Sequence, residues 1–163
     1  MKDIPRGAAV FIDANIFIYD ILAVPEYVES CMSFLKRVES QEIKGYTSIL
    51  VISEVIHKLM FSEIIEKHNL RPDRVLKEMK NNPQIIATLE KYRNIISKIA
   101  SIGIKVLPSS DKTHKKASFY IKKYRLMSND AINAAIAKEH GIKHIATNDA
   151  DFQRIDFLNV WKP

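Results

Sequence analysis

The sequence predicts an α/β protein in three layers, with helices on both faces of a central parallel sheet of four to five strands. Three observations carry that expectation. Short apolar runs of strand length recur along the chain, and stretches of helical periodicity separate them. Strands joined through helices lie parallel, because a crossover rather than a hairpin connects them. Finally, 163 residues with 47% apolar content suit one domain with a real core and argue against wholesale disorder.

Each element has its own signal. Residues 8–12 form an apolar run that ends in Asp13, as expected of a strand buried on both faces. Helical pattern follows over 15–22 and is broken by Pro25. Over 26–39, Val28, Cys31, Met32, Leu35 and Val38 recur at spacings of three and four, which marks an amphipathic helix. Residues 43–47 read as a second strand. Ser48 is placed to cap a helix running to about Met60, with Ile49, Ile52, Ile56 and Leu59 on one face.

Residues 61–100 are helical in pattern, rich in Lys and Glu, and divided by Pro72 and Pro83. They read as a helical insertion of two or three helices within a single domain spanning 1–163. A strand at 104–107 is closed by Pro108. Helices over 110–124 and 128–140 follow, the second stopped by Gly141. Strands at 143–147 and 157–161 complete the pattern. In the 110–124 helix, Ala117, Tyr120, Ile121 and Tyr124 are expected to pack on the sheet.

Composition excludes several classes. No apolar run reaches the ~18 residues of a membrane span, and the opening residues lack a secretory leader's apolar stretch. The lone Cys31 allows no intrachain disulfide and no thiolate zinc cluster. A cytoplasmic protein is the expectation. The net charge of +6 is compatible with phosphate contacts without requiring them.

In open parallel sheets the ligand crevice lies beyond the carboxyl ends of the strands. Asp13 closes the first predicted strand, and Asp149 follows the penultimate one by two residues. Asp130 stands in the first turn of an alanine-rich helix, and Glu54 lies in the helix after the second strand. Singly, each has a plain role. Asp13 could cap a helix, Asp130 could face a helix dipole, Glu54 could pair with Lys58, and Asp149 could stabilise a turn. Together they are a set of like charges that a hard, oxygen-seeking cation such as Mg²⁺ or Mn²⁺ would compensate.

Four segments, Val10-Phe11-Ile12-Asp13-Ala14-Asn15, Ser53-Glu54, Ser128-Asn129-Asp130-Ala131 and Thr147-Asn148-Asp149-Ala150-Asp151-Phe152, stand in an order and spacing that resembles the PIN domain. Among PIN proteins they are most similar to VapC-type toxin ribonucleases, over about residues 8–161. The resemblance implies a Rossmann-related α/β/α fold, divalent-metal-dependent RNA cleavage and an acidic quartet of Asp13, Glu54, Asp130 and Asp149. It also implies an antitoxin partner that inserts an Arg or a helix near the acidic pocket, and pairing as a homodimer. Residues 61–100 hold more apolar positions than connectors require, among them Ile64, Val75, Leu76, Ile85, Leu89 and Ile96, and this segment is the expected contact.

Asp151 is an auxiliary ligand candidate, and Asn15, Thr147 and Asn148 are candidates to hold ligand carboxylates or water. Lys112, Lys115, Lys116 and Lys123 give the 110–124 helix a basic face suited to an RNA backbone. Glu54 and His57 have the Glu-x-x-His spacing of di-iron bundles, but no second such pair exists. Gly141 interrupts the helix that would align His140 with His144. The competing functions are a non-catalytic RNA- or protein-binding module and a metal-dependent phosphatase. The first leaves the acidic set without a task, and Asp13-Ala14-Asn15 lacks the second aspartate of aspartyl-phosphate enzymes.

Overall fold

The apolar run ending at Asp13 becomes β1 (Ala9–Ile12), the central strand of a five-stranded sheet. A computed structural model describes residues 1–163. With β2 (Lys44–Ser48), β3 (Lys105–Leu107), β4 (His144–Ala146) and β5 (Asn159–Trp161), the strand order is β3-β2-β1-β4-β5. Every neighbouring pair is parallel. Helices cover both faces, so the three-layer expectation is met, with five strands. The chain steps outward from β1 through β2 to β3, then returns to the other side of β1. That reversal places a crevice between the carboxyl ends of β1 and β4. The register aligns those ends, with Ile12 opposite Ala146, and the Asp13 N–H donates to the Ala146 carbonyl at 3.1 Å.

The helices are α1 (Ala14–Ile21), α2 (Val28–Glu39), α3 (Ile49–His68), α4 (Pro72–Asn81), α5 (Gln84–Ala87), α6 (Ile95–Ser101), α7 (Asp111–Tyr124) and α8 (Ser128–Glu139). Ser48 caps α3 and Ser110 caps α7, where Thr113 completes a reciprocal capping box. A short 3-10 turn, Ala150–Arg154, separates β4 from β5.

Two expectations about the helices need correction. α3 does not end near Met60 but runs 20 residues to His68, stopping where Asn69 takes a left-handed conformation. Nothing between Met60 and Asn69 breaks a helix, and the apolar spacing continues through Ile64. The 61–100 segment therefore starts inside α3. Ile64, Val75, Ile85 and Leu89 bury one another in a small core of their own, whereas Ile95 and Ile99 join the main core. Glu63 fastens this annex. Its buried carboxylate accepts from the Glu90 and Lys91 backbone N–H groups at 2.9–3.0 Å and pairs with Lys67 at 2.6 Å. In α7, Ala117, Tyr120 and Tyr124 are buried as expected, but Ile121 is 42% exposed and Thr113 takes a buried place. No helix is long and apolar enough to cross a membrane.

Gly45 in β2 gives a first test. A Cβ there would lie 2.7 Å from Val38 Cγ1 and 2.9 Å from Ile104 Cγ1, closer than real contacts allow. Gly45→Ala is expected to lower the unfolding free energy by about 1–3 kcal/mol through overpacking. Urea denaturation reads this directly, and an unchanged midpoint would mean that the α2–β2 contact yields freely.

Candidate active site

Asp13, Glu54, Asp130 and Asp149 line one cavity of about 320 Å³, shared with Asn15, Ile18, Tyr19 and Lys58. The sheet and its flanking helices bring them there from four places. Asp13 follows β1 and caps α1, its Oδ1 accepting from the Ala14 N–H at 2.8 Å. Glu54 projects from α3 and Asp130 from the first turn of α8, while Asp149 leads into the 3-10 turn after β4. Two roomier hollows, of about 400 and 500 Å³, lie elsewhere. One flanks the amino end of β2, and the other mixes Glu26 and Glu29 with Lys2 and Arg37. Neither gathers a like-charged set at the strand-order reversal.

Asn15 and Thr147 tie the two central strand ends together. The Thr147 hydroxyl donates to Asp13 Oδ2 at 2.6 Å and accepts from the Asp149 N–H at 3.0 Å. Asn15 Nδ2 donates to Asp13 Oδ2 at 2.7 Å and to Thr147 Oγ1 at 3.0 Å, while its Oδ1 accepts from the Asn148 N–H at 3.1 Å. One Asp13 oxygen is thus fixed from both strands. The Asn148 side chain turns away from that junction and donates to the Tyr19 hydroxyl at 3.1 Å. Asp151 does not line the cavity. Its carboxylate pairs with Arg154, and its N–H donates to Asp149 Oδ1 at 2.8 Å, so it reaches the cavity through Asp149.

Charge is unbalanced here. Burial first, and then the neighbouring Glu54 and Asp149, push the Asp13 carboxyl up to about 6 against the pull of Thr147 and the Ala14 N–H. Burial again leads for Asp130, followed by Asp13, Asp149, Glu54 and Asp151, and raises it to about 7. Such clustering of raised carboxyls in a cleft is a mark of functional sites. As they stand, no three acidic, imidazole or thiol groups converge on one point closely enough to grip an ion. The donor chemistry is nevertheless all oxygen, which matches a hard divalent cation.

Other candidates fall outside the cavity. Lys112, Lys115 and Lys122 are exposed and Lys116 half-buried on α7, and none lines the acidic site. Lys123 is engaged, donating to Asp156 and to the Tyr124 hydroxyl at 2.8 Å each, so it is not a free member of the basic face. His57 packs on Phe61 at 4.5 Å between ring centroids, and His144 Nδ1 accepts from the Trp161 indole at 3.0 Å. Sequence reasoning passed over two residues that matter, Tyr19 and Asn133, and named Lys58 only as a pairing partner for Glu54. Tyr19 and Lys58 each lie four positions after a named residue, Asn15 and Glu54, so helical spacing was the available signal. Asn133, one turn after Asp130, is buried and accepts from the Ser48 hydroxyl at 2.7 Å, which locks α8 to the start of α3.

The family model for the PIN domain matches residues 10–158. The chain belongs to the PIN domain family. Its acidic cavity thus sits in a PIN domain, at the carboxyl ends of the central strands. Ribonuclease VapC2 of Methanocaldococcus jannaschii is 30% identical over 151 residues, covering 93% of this chain and 91% of that protein. Two solved structures share the fold. VapC20 of Mycobacterium tuberculosis, a sarcin-ricin loop cleaving toxin, has a TM-score of 0.57 at 16% identity over 91% of this chain and 96% of its own. A toxin-antitoxin complex from Klebsiella pneumoniae has a TM-score of 0.55 at 17% identity, over 93% and 96% respectively.

Proposed function

We propose that this PIN protein is a divalent-metal-dependent endoribonuclease and the toxin of a toxin-antitoxin pair. The observation that carries the reading is the gathering of Asp13, Glu54, Asp130 and Asp149 around one cavity at the reversal of strand order. The ribonuclease from Methanocaldococcus jannaschii, similar over nearly the whole chain, supports it. The four carboxylates would hold Mg²⁺ or Mn²⁺, with Asp151 as an outer contributor through Asp149. When bound, such a cation supplies Lewis-acid polarisation and a counter-charge for the phosphate. The chain's own groups do the rest. Asn15 and Thr147 hold Asp13 in one orientation, the Thr147–Asp13 bond ties the second strand end to the first, and the Asp149 N–H contact to Thr147 fixes the turn that carries Asp149. Water attacks phosphorus, the P–O bond to the 3′ oxygen breaks, and the products carry a 5′-phosphate and a 3′-hydroxyl.

The test pairs a panel of single-stranded RNAs with nitrophenyl phosphate, with and without Mn²⁺. Cleavage of RNA to 5′-phosphorylated ends only with the ion, and no turnover of the small ester, is the expected result. RNA left intact in every condition would overturn the reading.

Two surfaces follow from it. Lys112, Lys115 and the half-buried Lys116 of α7 would hold the RNA backbone, and Lys123 drops out because Asp156 already occupies it. Replacing Lys112, Lys115 and Lys116 with Ala is expected to weaken RNA binding. The salt dependence should flatten by about 0.7 in log-log slope for each phosphate that the variant no longer neutralises. An unchanged slope would return this face to solvent. For assembly, Leu76 and Ile96 are 52% and 57% exposed beside the annex, an apolar surface that a two-fold partner would cover. Light scattering is expected to give twice the 18.7 kDa chain mass, and the monomer value would remove the dimer.

A further inference from the structure

We propose that Lys58 is a substrate-contacting catalytic residue, its ammonium donating to a non-bridging oxygen of the scissile phosphate. The inference rests on the nuclease reading above and adds to it the one cationic group in the site. Of the eight residues lining the acidic cavity, Lys58 alone carries a positive charge. It sits on α3 one turn after Glu54, the spacing and order that favour an ion pair on an isolated helix. That pair is not made. Lys58 joins none of the ion pairs of the molecule, while eight of its other lysines and arginines do. An exposed ammonium beside four carboxylates is therefore left with its three donors uncommitted.

Phosphodiester chemistry gives those donors a task. RNA arrives carrying a negative charge on each phosphate, and an acidic cavity repels it. A lysine at the rim offsets that repulsion at the phosphate being cut. As water adds to phosphorus and the 3′ oxygen departs, negative charge builds on the non-bridging oxygens. An ammonium already in place then stabilises the transition state more than the bound substrate. The helix supports this placement, since α3 is anchored at its start by the Ser48 cap and the Ser48–Asn133 bond. Lys58 thus swings from a fixed base, and only its flexible stem needs to adjust.

The experiment compares the parent with Lys58→Met and Lys58→Arg by steady-state RNA cleavage, and measures the Kd for Mn²⁺ alone by calorimetry. Lys58→Met is expected to lower kcat/KM about tenfold or more. Its Mn²⁺ affinity should be unchanged or tighter, because a neighbouring positive charge has gone. Lys58→Arg, which keeps the charge, should recover most of the rate. A Lys58→Met protein with the parent's kcat/KM overturns the proposal, and so does a rate loss that a matching loss of Mn²⁺ affinity explains. A parent protein that cleaves no RNA overturns the nuclease reading, and this assignment falls with it. A parent that cleaves beside an unaffected variant removes this assignment alone.

Discussion

Asp13→Asn is expected to reduce Mn²⁺-dependent RNA cleavage by about a hundredfold or more while the protein remains folded. Asp13 is 7% exposed, and its two oxygens have different tasks. Oδ1 caps α1, and Oδ2 accepts from Thr147 and Asn15. An asparagine oxygen can keep the second set of contacts, but its amide group then faces the Ala14 N–H, donor against donor. That conflict costs about 1 kcal/mol, the usual worth of a cap. Against it stands the relief of removing a charge that burial and neighbouring carboxylates already disfavour. At neutral pH the relief outweighs the cap conflict, so the fold is kept or gains stability, whereas a neutral amide holds a hard cation far less well than a carboxylate does. Cleavage assays beside a urea melt separate the two effects. If the folded variant cuts RNA at the parent rate, Asp13 is not a ligand and the acidic set needs reassignment.

What the sequence disclosed follows from where parallel sheets keep their functional groups. β1 reads as an unbroken apolar run because it is buried on both faces, and the first polar residue after it lies at the crevice by construction. The same logic finds Asp149 after β4. Apart from the resemblance to the PIN motifs, Asp130 and Glu54 read simply as acidic residues on helices, and it is the packing of α3 and α8 that turns them to one cavity. Contacts between distant segments left no local trace. Asp156 claims Lys123 from 33 positions away, and Glu63 reads as an ordinary surface acid until the chain at Glu90 folds back over it. Asn133 looks like an interruption of an alanine-rich helix, although it is the buried partner of Ser48. The end of α3 escaped notice for a different reason. Its stop is a backbone event at Asn69, and the apolar pattern runs on past Met60 without a signal to cut it.

The second large effect concerns pH and the unbalanced charge of the site. With Asp13 raised to about 6 and Asp130 to about 7, both lie above the ordinary value of 3.8 that the unfolded chain restores. Between about pH 4 and pH 7 the folded protein therefore binds more protons than the unfolded one, and its stability falls as pH rises. The stabilising protons are fully in place below about pH 4 and are lost as pH climbs through 6 and 7. Asp13 alone corresponds to roughly 3 kcal/mol at 1.36 kcal/mol for each unit. Asp130, in wider contact with water, adds a smaller part in the same direction. Urea midpoints in EDTA are expected to be higher at pH 5 than at pH 7.5, and Asp13→Asn should flatten that slope. Mn²⁺ competes with the same protons, so it should raise the midpoint more at pH 7.5 than at pH 5. A midpoint independent of pH in EDTA would show that the carboxylates do not strain the fold. An ion effect equal at both pH values would place the cation away from Asp13 and Asp130, because only a ligand that displaces their protons gains affinity as they leave.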